Sequence, residues 1–183
     1  IQYRIICGSR DVDGSVLEDI QTDTWVEKND NCKLWYHTKG LLYKNINKWI
    51  REEKPEKLFI VGFYSFHFNI LPLLFCKGVT KIVSVRGMLN AGALSQKPFK
   101  KKALIYFYKI LGIQNKIIFH ATNEKEKESI HQVFGSNVLV KIAENFSTEI
   151  QRQMPHEKIE GKLQLITVGL ISPMKNYLLV LQA

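Results

Sequence analysis

Cysteine is scarce in this chain. Its 183 residues include three cysteines, Cys7, Cys32 and Cys76, which are odd in number and far apart. No two of them have the close spacing that builds a zinc site, and such a set is a poor basis for a disulfide framework. The cysteines therefore argue against a disulfide-stapled fold and favour a reducing, cytoplasmic setting.

Low-complexity and proline- or glycine-biased stretches are also missing, and hydrophobic (45%) and charged (23%) residues match globular averages, which excludes a disordered chain. No basic-then-apolar leader precedes the first apolar run, and because the chain starts at Ile1 we expect that a segment upstream has been removed. The length allows one domain with a buried core and part of a second.

The longest uncharged run lies between Leu58 and Cys76. It approaches the roughly 20 residues that a transmembrane helix needs. Polar and helix-breaking residues interrupt it, among them Gly62, His67 and Pro72. A strand, a loop and a short helix account for this run without placing polar groups in lipid, and we predict that arrangement rather than a membrane span.

Acidic residues are in the minority, with 17 Asp and Glu against 26 Lys and Arg, which gives a net charge of +9. This excess favours an anionic partner: nucleic acid, a phosphorylated ligand or an acidic membrane surface. Because no helix-turn-helix, finger or RNA-binding signature is present, we do not expect nucleic acid to be the partner.

Short apolar runs rich in β-branched and aromatic residues recur along the chain. Such runs are typical of strands buried on both faces of a parallel sheet. The predicted strands are 3–7, 33–36, 58–61, 81–85, 116–119, 138–142 and 163–168.

Helical periods lie between these runs. Leu42, Ile46, Trp49 and Ile50 share one face of a predicted helix that ends before Pro55. A second helix is predicted after Asn123, whose spacing to Glu126 resembles a capping box. Strands alternating with helices through short connections predict right-handed crossovers and a Rossmann-like, doubly wound α/β fold, with a mainly parallel sheet and helices on both faces.

A polar segment, 151–162, interrupts this pattern. It contains Pro155 and Gly161, and we predict that it is a linker. Residues 1–150 then form the first domain, and residues 163–183 form the first strand and helix of another.

Ligands of open α/β sheets bind beyond the carboxyl ends of the strands, so the turns there supply candidate residues. Arg86 has a planar cation suited to phosphate or carboxylate, and Gly87 permits close approach of a ligand to the backbone. The alternative for Arg86 is a surface ion pair. His67 is a candidate for hydrogen bonding to a sugar or for proton transfer, although packing is the commoner role of such a histidine.

A basic run leads into an apolar helical segment, 103–111. Its lysines are Lys97, Lys100, Lys101 and Lys102. This pattern favours attraction to anionic lipid headgroups or to a phosphorylated acceptor. The alternative is a solvated helix start above a buried stripe.

Three stretches, in order, resemble the GT-B glycosyltransferases of family 4, also called group 1. The first is Val-Ser-Val-Arg-Gly-Met-Leu at 83–89, followed by Ala-Leu at 93–94 and three lysines at 100–102. The second is Phe-His-Ala-Thr-Asn-Glu-Lys-Glu at 119–126. The third is Ala-Glu-Asn-Phe at 143–146, followed by Gly169 and Lys175 at the spacing that opens the family's donor domain.

This resemblance implies retaining transfer of a sugar from a nucleotide diphosphate sugar to a hydroxyl, in cell-envelope polysaccharide or lipopolysaccharide assembly, without a metal. It implies a saccharide or lipid-linked acceptor and a cytoplasmic protein in peripheral contact with the inner face of the membrane. The implied acceptor-side residues are Arg86, Gly87, Met88 and Asn145. The implied donor-binding residues are Gly169 and Lys175.

Two features depart from the family pattern. Leu170 occupies a position where the family usually has arginine, and the glycine-rich loop after the first strand is absent. We expect the catalytic residues of the donor domain beyond Ala183, so that the chain alone is inactive. A non-catalytic Rossmann-like module that binds an anionic polymer or a membrane surface is the alternative.

Overall fold

The first part of the chain forms a three-stranded sheet. The computed structural model describes residues 1–11, 14–38 and 40–145. Its first strands are β1 (Tyr3–Gly8), β2 (Trp25–Asn29) and β3 (Cys32–His37), with β3 in the centre, parallel to β1 and antiparallel to β2. The sequence did not predict β2, because its second half is polar and lies at the edge of the sheet.

A second sheet contains four strands, all parallel. They are β4 (Lys57–Val61), β5 (Thr80–Ser84), β6 (Ile118–Ala121) and β7 (Val140–Ile142), and each pairs with the next along the chain. The predicted α/β class with a parallel sheet is confirmed. Parallel pairing also places the carboxyl ends of all four strands at one edge.

Helices connect the strands. They are α1 (Leu42–Glu53), α2 (Leu71–Phe75), α3 (Ala91–Ser95), α4 (Pro98–Ile110) and α5 (Glu124–Phe134), with a π-helical turn at Phe66–Ile70 and a 3₁₀ turn at Ile113–Asn115. The uncharged run between Leu58 and Cys76 therefore contains a strand, a loop and short helical segments, as predicted. Among the described residues, no helix is long and apolar enough to cross a membrane.

One face of the parallel sheet holds the main core. Alternate strand side chains, including Ile60, Val83 and Phe119, are buried there. Residues of α2, α4 and α5 belong to the same cluster, and Leu58 on the same face packs against a second cluster that α1 forms with Cys76. Of the five described helices, these four thus lie on one side of the sheet.

The opposite face of the sheet is open within the described ranges. Phe59, Val61 and Leu139 alternate with the core positions and are half exposed, at 50%, 57% and 50%. Flanking helices on a four-stranded parallel sheet are therefore established. A doubly wound arrangement with helices on both faces stays a prediction.

Helix α1 joins the two sheets. Trp49 of α1 lies against Trp25 and Trp35 of the first sheet, with ring centroids 4.9 and 4.8 Å away. Arg4 of β1 also pairs with Glu53 at the end of α1, at 3.1 Å. Aromatic rings in such tilted arrangements contribute beyond the area that they bury, and the cluster holds the antiparallel hairpin against the helix.

Tyr108 of α4 is the largest fully buried side chain of the core. Its ring lies 4.6 Å from that of Phe63, and its hydroxyl has no hydrogen-bond partner among the described residues. Burial raises the pKa of Tyr108, so the hydroxyl stays protonated at neutral pH. An unsatisfied buried hydroxyl opposes folding.

We expect Tyr108→Phe to leave the free energy of unfolding unchanged or to raise it by up to about 1 kcal/mol, because the substitution removes that hydroxyl without a cavity. Tyr64→Phe is the matched control, since Tyr64 donates to the carbonyl of Met88 at 3.1 Å. It should lose about 0.5–1.5 kcal/mol. Urea denaturation measures both; a loss in Tyr108→Phe as large as that in the control would contradict the prediction.

Candidate functional site

Three chain segments meet at the carboxyl edge of the parallel sheet. They are the turn after β5 (85–88), the start of α5 (122–126) and the segment after β7 (143–145). The pairing of β5 with β6 and of β6 with β7 brings them together. We call the polar groups at this edge the edge cluster. Its members are the backbone of Gly87 and the side chains of Ser84 at the end of β5, His120 of β6, Arg86, Thr122, Glu126 and Asn145.

The turn after β5 has an unusual backbone. Arg86 and Gly87 both have positive φ, at 50° and 72°. Glycine adopts this conformation freely, whereas for arginine it costs on the order of 1 kcal/mol. The amide of Met88 donates to the carbonyl of Val85 at 3.0 Å and closes the turn. Such strain persists where the surroundings impose it, and it is commonest at functional sites.

Glu126 fixes this turn from the side of α5. Its carboxylate is buried and accepts hydrogen bonds from the amide of Gly87 and from both the amide (2.6 Å) and the hydroxyl (2.8 Å) of Thr122. Asn123 caps α5 as predicted, accepting from the amide of Glu126 at 2.9 Å. Glu126 itself does not complete a capping box, because its carboxylate binds Thr122 and Gly87.

The hydrogen bonds determine the ionisation of Glu126. Burial alone would raise the pKa of its carboxyl, but donation by the Thr122 amide, the Gly87 amide and the Thr122 hydroxyl outweighs burial. The pKa of Glu126 is therefore lowered from its ordinary value of 4.5. At neutral pH the turn after β5 is held by an anion.

His120 of β6 bridges the chain segments on either side of it. Its Nδ1 lies 2.8 Å from the hydroxyl of buried Ser84, and its Nε2 lies 3.0 Å from the carbonyl oxygen of Ala143. Because a carbonyl only accepts, Nε2 is the donor of the second bond. The ring thus ties β5, β6 and the segment after β7 together.

Arg86 keeps most of its hydrogen-bonding capacity. Its Nη1 donates to Oδ1 of Asn145 at 2.6 Å, and the side chain is exposed. No carboxylate among the described residues forms an ion pair with it, so the surface ion pair considered from the sequence is not seen in that part of the chain. A guanidinium has five N–H donors, and this one has donors left for phosphate, carboxylate or a sugar hydroxyl.

Met88 and Lys101 have structural contacts. The carbonyl of Met88 accepts from Tyr64, and its side chain packs against the core. Lys101 donates to the carbonyl of Ala93 and lies 5.2 Å from the centroid of the Tyr64 ring. These contacts partly bury Lys101, so it differs from the other lysines of the predicted basic patch.

Lys97 and Lys100 lie beside a small cavity at the start of α4. Its volume is about 250 Å³, and Tyr64 and Leu104 also line it. Lys102 lies on the exposed side of the same helix. Lys101 lines the same cavity, so three of the four predicted lysines lie around it. The binding role of the patch stays a prediction.

His67 lies away from the edge cluster. It borders a separate cavity of about 400 Å³ whose lining comes from the ends of β1 and β3 and from the π-helical turn. His37 of β3 lines the same cavity with a side chain only 8% exposed, and its Nδ1 is 3.7 Å from the carboxylate of Asp23. Sequence reasoning missed His37, although it directly follows a predicted strand.

Several predictions fall outside the described residues. Gly169, Lys175 and the linker 151–162 are among them, so their roles stay predictions. In the described part of the chain, no group of three or more His, Cys, Asp and Glu side chains is placed to hold a metal ion.

Comparison of the chain with protein-family models, curated proteins and solved structures gave no match. A functional assignment therefore depends on the residues and their geometry. The edge-cluster residues that sequence reasoning did not name as site residues are Ser84, His120, Thr122 and Glu126. All four lie inside stretches that the resemblance singled out, but nothing local in the sequence indicates their partners.

We expect Glu126→Gln to lower the free energy of unfolding at neutral pH by about 1–3 kcal/mol, because an amide cannot accept all three hydrogen bonds. The pKa of Glu126 is lowered in the folded state, so its contribution is present above 4.5 and is lost as pH falls through the lowered value.

Urea denaturation at neutral pH and at a series of lower pH values tests this. The difference between wild type and Glu126→Gln should shrink with acidification. Glu128→Gln, on the exposed side of the same helix, should show little effect at any pH. An equal loss in both variants, or a difference that does not change with pH, would refute the assignment.

Proposed function

We propose that this chain is the acceptor-side part of a retaining GT-B glycosyltransferase, which moves a sugar from a nucleotide diphosphate sugar to an acceptor hydroxyl in cell-envelope polysaccharide or lipopolysaccharide assembly. One observation supports this most: Arg86 is held in a strained turn beside Asn145, without a carboxylate partner in the described ranges, at the carboxyl edge of a parallel sheet. That edge is where open α/β sheets bind ligands.

The chemistry assigned to this edge is positioning. The guanidinium of Arg86 binds an anionic group of the acceptor, and Asn145 holds the guanidinium. Orienting an acceptor hydroxyl removes part of the entropic barrier to transfer. In this proposal the donor diphosphate is bound by Gly169 and Lys175 in a second domain. Helices cover both faces of the parallel sheet in the first domain.

A second candidate is a non-catalytic module that binds an anionic polymer or a membrane surface. The basic and apolar surface of α4 favours it, as does Leu170 at a position where the family usually has arginine. The two candidates differ in one property. The enzyme binds nucleotide diphosphates, and the module does not.

Isothermal titration of the gene's full translated product with UDP, GDP and ADP separates the candidates. We expect saturable heat with one of the three nucleotides, because the donor is held by its diphosphate. No heat with any of them would refute the donor assignment. Strong salt dependence of binding to anionic vesicles without nucleotide binding would favour the module.

We expect Arg86→Ala to lower kcat/KM for the acceptor by about tenfold to a hundredfold, the loss that follows removal of a charge-assisted hydrogen bond. Arg86→Lys should retain part of the activity, because the charge remains but the planar fork does not. Transfer of labelled sugar to envelope lipid and glycan extracts measures this.

Arg51→Ala, an exposed arginine near the end of α1, is the matched control and should be unaffected. Arg86→Gly should have the same activity as Arg86→Ala. Its free energy of unfolding should be at least as high as that of Arg86→Ala, because glycine adopts the positive φ at this position without strain. Full activity in both Arg86→Ala and Arg86→Gly would refute the proposal that Arg86 binds the acceptor.

A further inference from the structure

Helix α4 exposes an apolar stripe on its outer side. Phe99, Ala103, Tyr106 and Ile110 follow the spacing i, i+4, i+7, i+11, which places them on one face of a helix. Phe99, Tyr106 and Ile110 are 88%, 67% and 64% exposed. In the sequence, the apolar residues of this helix run nearly all round it, and the structure shows which of them are exposed.

The inner side of α4 accounts for its other apolar residues. Leu104, Ile105 and Tyr108 contact the core. The spacing of these three positions places them opposite Phe99 and Ile110 on the helix. The helix is therefore apolar on two opposite faces, and only one of them has a partner in the described residues.

Lysines border the outer stripe on both sides. Lys102 and Lys109 lie on one flank and Lys100 on the other, and all three are exposed. No carboxylate neutralises them along the chain, because the sequence has no Asp or Glu between Glu56 and Glu124. This region thus combines exposed aromatic and aliphatic side chains with charges that are all positive.

We propose that the outer face of α4 is a membrane-docking surface that lies in the plane of an anionic bilayer. Helices that lie in the interface have an apolar stripe of this kind flanked by Lys or Arg, which contact anionic headgroups. At 13 residues, α4 is about 20 Å long. It is too short to span the bilayer but can lie along its surface.

The charge pattern selects lipid over a second copy of the chain. Two α4 helices facing each other would bring lysines of the same sign together along both flanks. An anionic bilayer neutralises these charges and also accepts Phe99 and Ile110. The inference deepens the second candidate function, since it names the partner of the α4 surface, and it does not depend on the enzymatic function. Nucleotide binding tests the enzyme, and vesicle binding tests this inference.

Co-sedimentation of the full chain with vesicles tests the proposal, using phosphatidylcholine alone or an equal mixture with phosphatidylglycerol. The chain should bind the mixed vesicles and not the neutral ones. Phe99→Ser with Ile110→Ser should weaken binding about tenfold or more, because two apolar side chains no longer enter the interface. Both residues are exposed, so the fold should be kept.

Charge is tested separately from the apolar stripe. Changing Lys100, Lys102 and Lys109 to Gln should weaken binding about a hundredfold, at roughly 1 kcal/mol for each lysine near the surface. The matched control changes the exposed lysines Lys28, Lys44 and Lys57 to Gln, with the same loss of net charge. It should bind the mixed vesicles much more tightly than the variant that lacks Lys100, Lys102 and Lys109. Val16→Ser, an exposed apolar control at 58%, should behave as wild type.

Fluorescence locates the contact. Emission added by Tyr106→Trp should be quenched by brominated lipids, and emission added by Val16→Trp should not. Failure of the wild type to bind mixed vesicles would overturn the proposal. So would equal losses in the two lysine triples, unchanged binding of the Phe99 and Ile110 variant, or dimerisation through α4 without lipid binding.

Discussion

The carboxylate of Glu126 is the contact on which the edge of the sheet depends. It accepts from the backbone of the β5 turn and from Thr122 at the start of α5, so one buried anion joins two loops. Without it, the amide of Gly87 would lack its partner, and the left-handed conformation of Arg86 would lack a constraint. The exposed guanidinium is thereby presented from a fixed backbone.

Asymmetry of burial is the second feature that shapes this protein. The helices α1, α2, α4 and α5 contact one face of the parallel sheet, while Phe59 and Val61 remain half exposed on the other. Helix α4 has an apolar side beyond the one that the core uses. The described part thus exposes apolar side chains both on this sheet face and on α4, and those on α4 are bordered by lysines on both flanks.

Much of the fold was predictable because the signals are local. Leu42, Ile46 and Ile50 repeat with the helical period, and all three are buried in α1. The strand β2 was missed because Glu27, Lys28 and Asn29 give it no apolar pattern. Of the candidate site, Arg86 and Gly87 were predicted from their place after a strand, whereas the resemblance alone singled out Asn145.

By itself, the sequence determined the class of fold and the positions of most strands and helices, since periodicity and capping act over a few residues. The tertiary structure decided which residues meet. Gly87 and Glu126 are 39 positions apart, and Arg86 and Asn145 are 59 apart. Such contacts follow from the pairing of β5, β6 and β7, which depends on packing over the whole sheet and leaves no local trace. The tertiary structure also separated the inner from the outer face of α4, since a helix that is apolar all round has no periodicity to distinguish them.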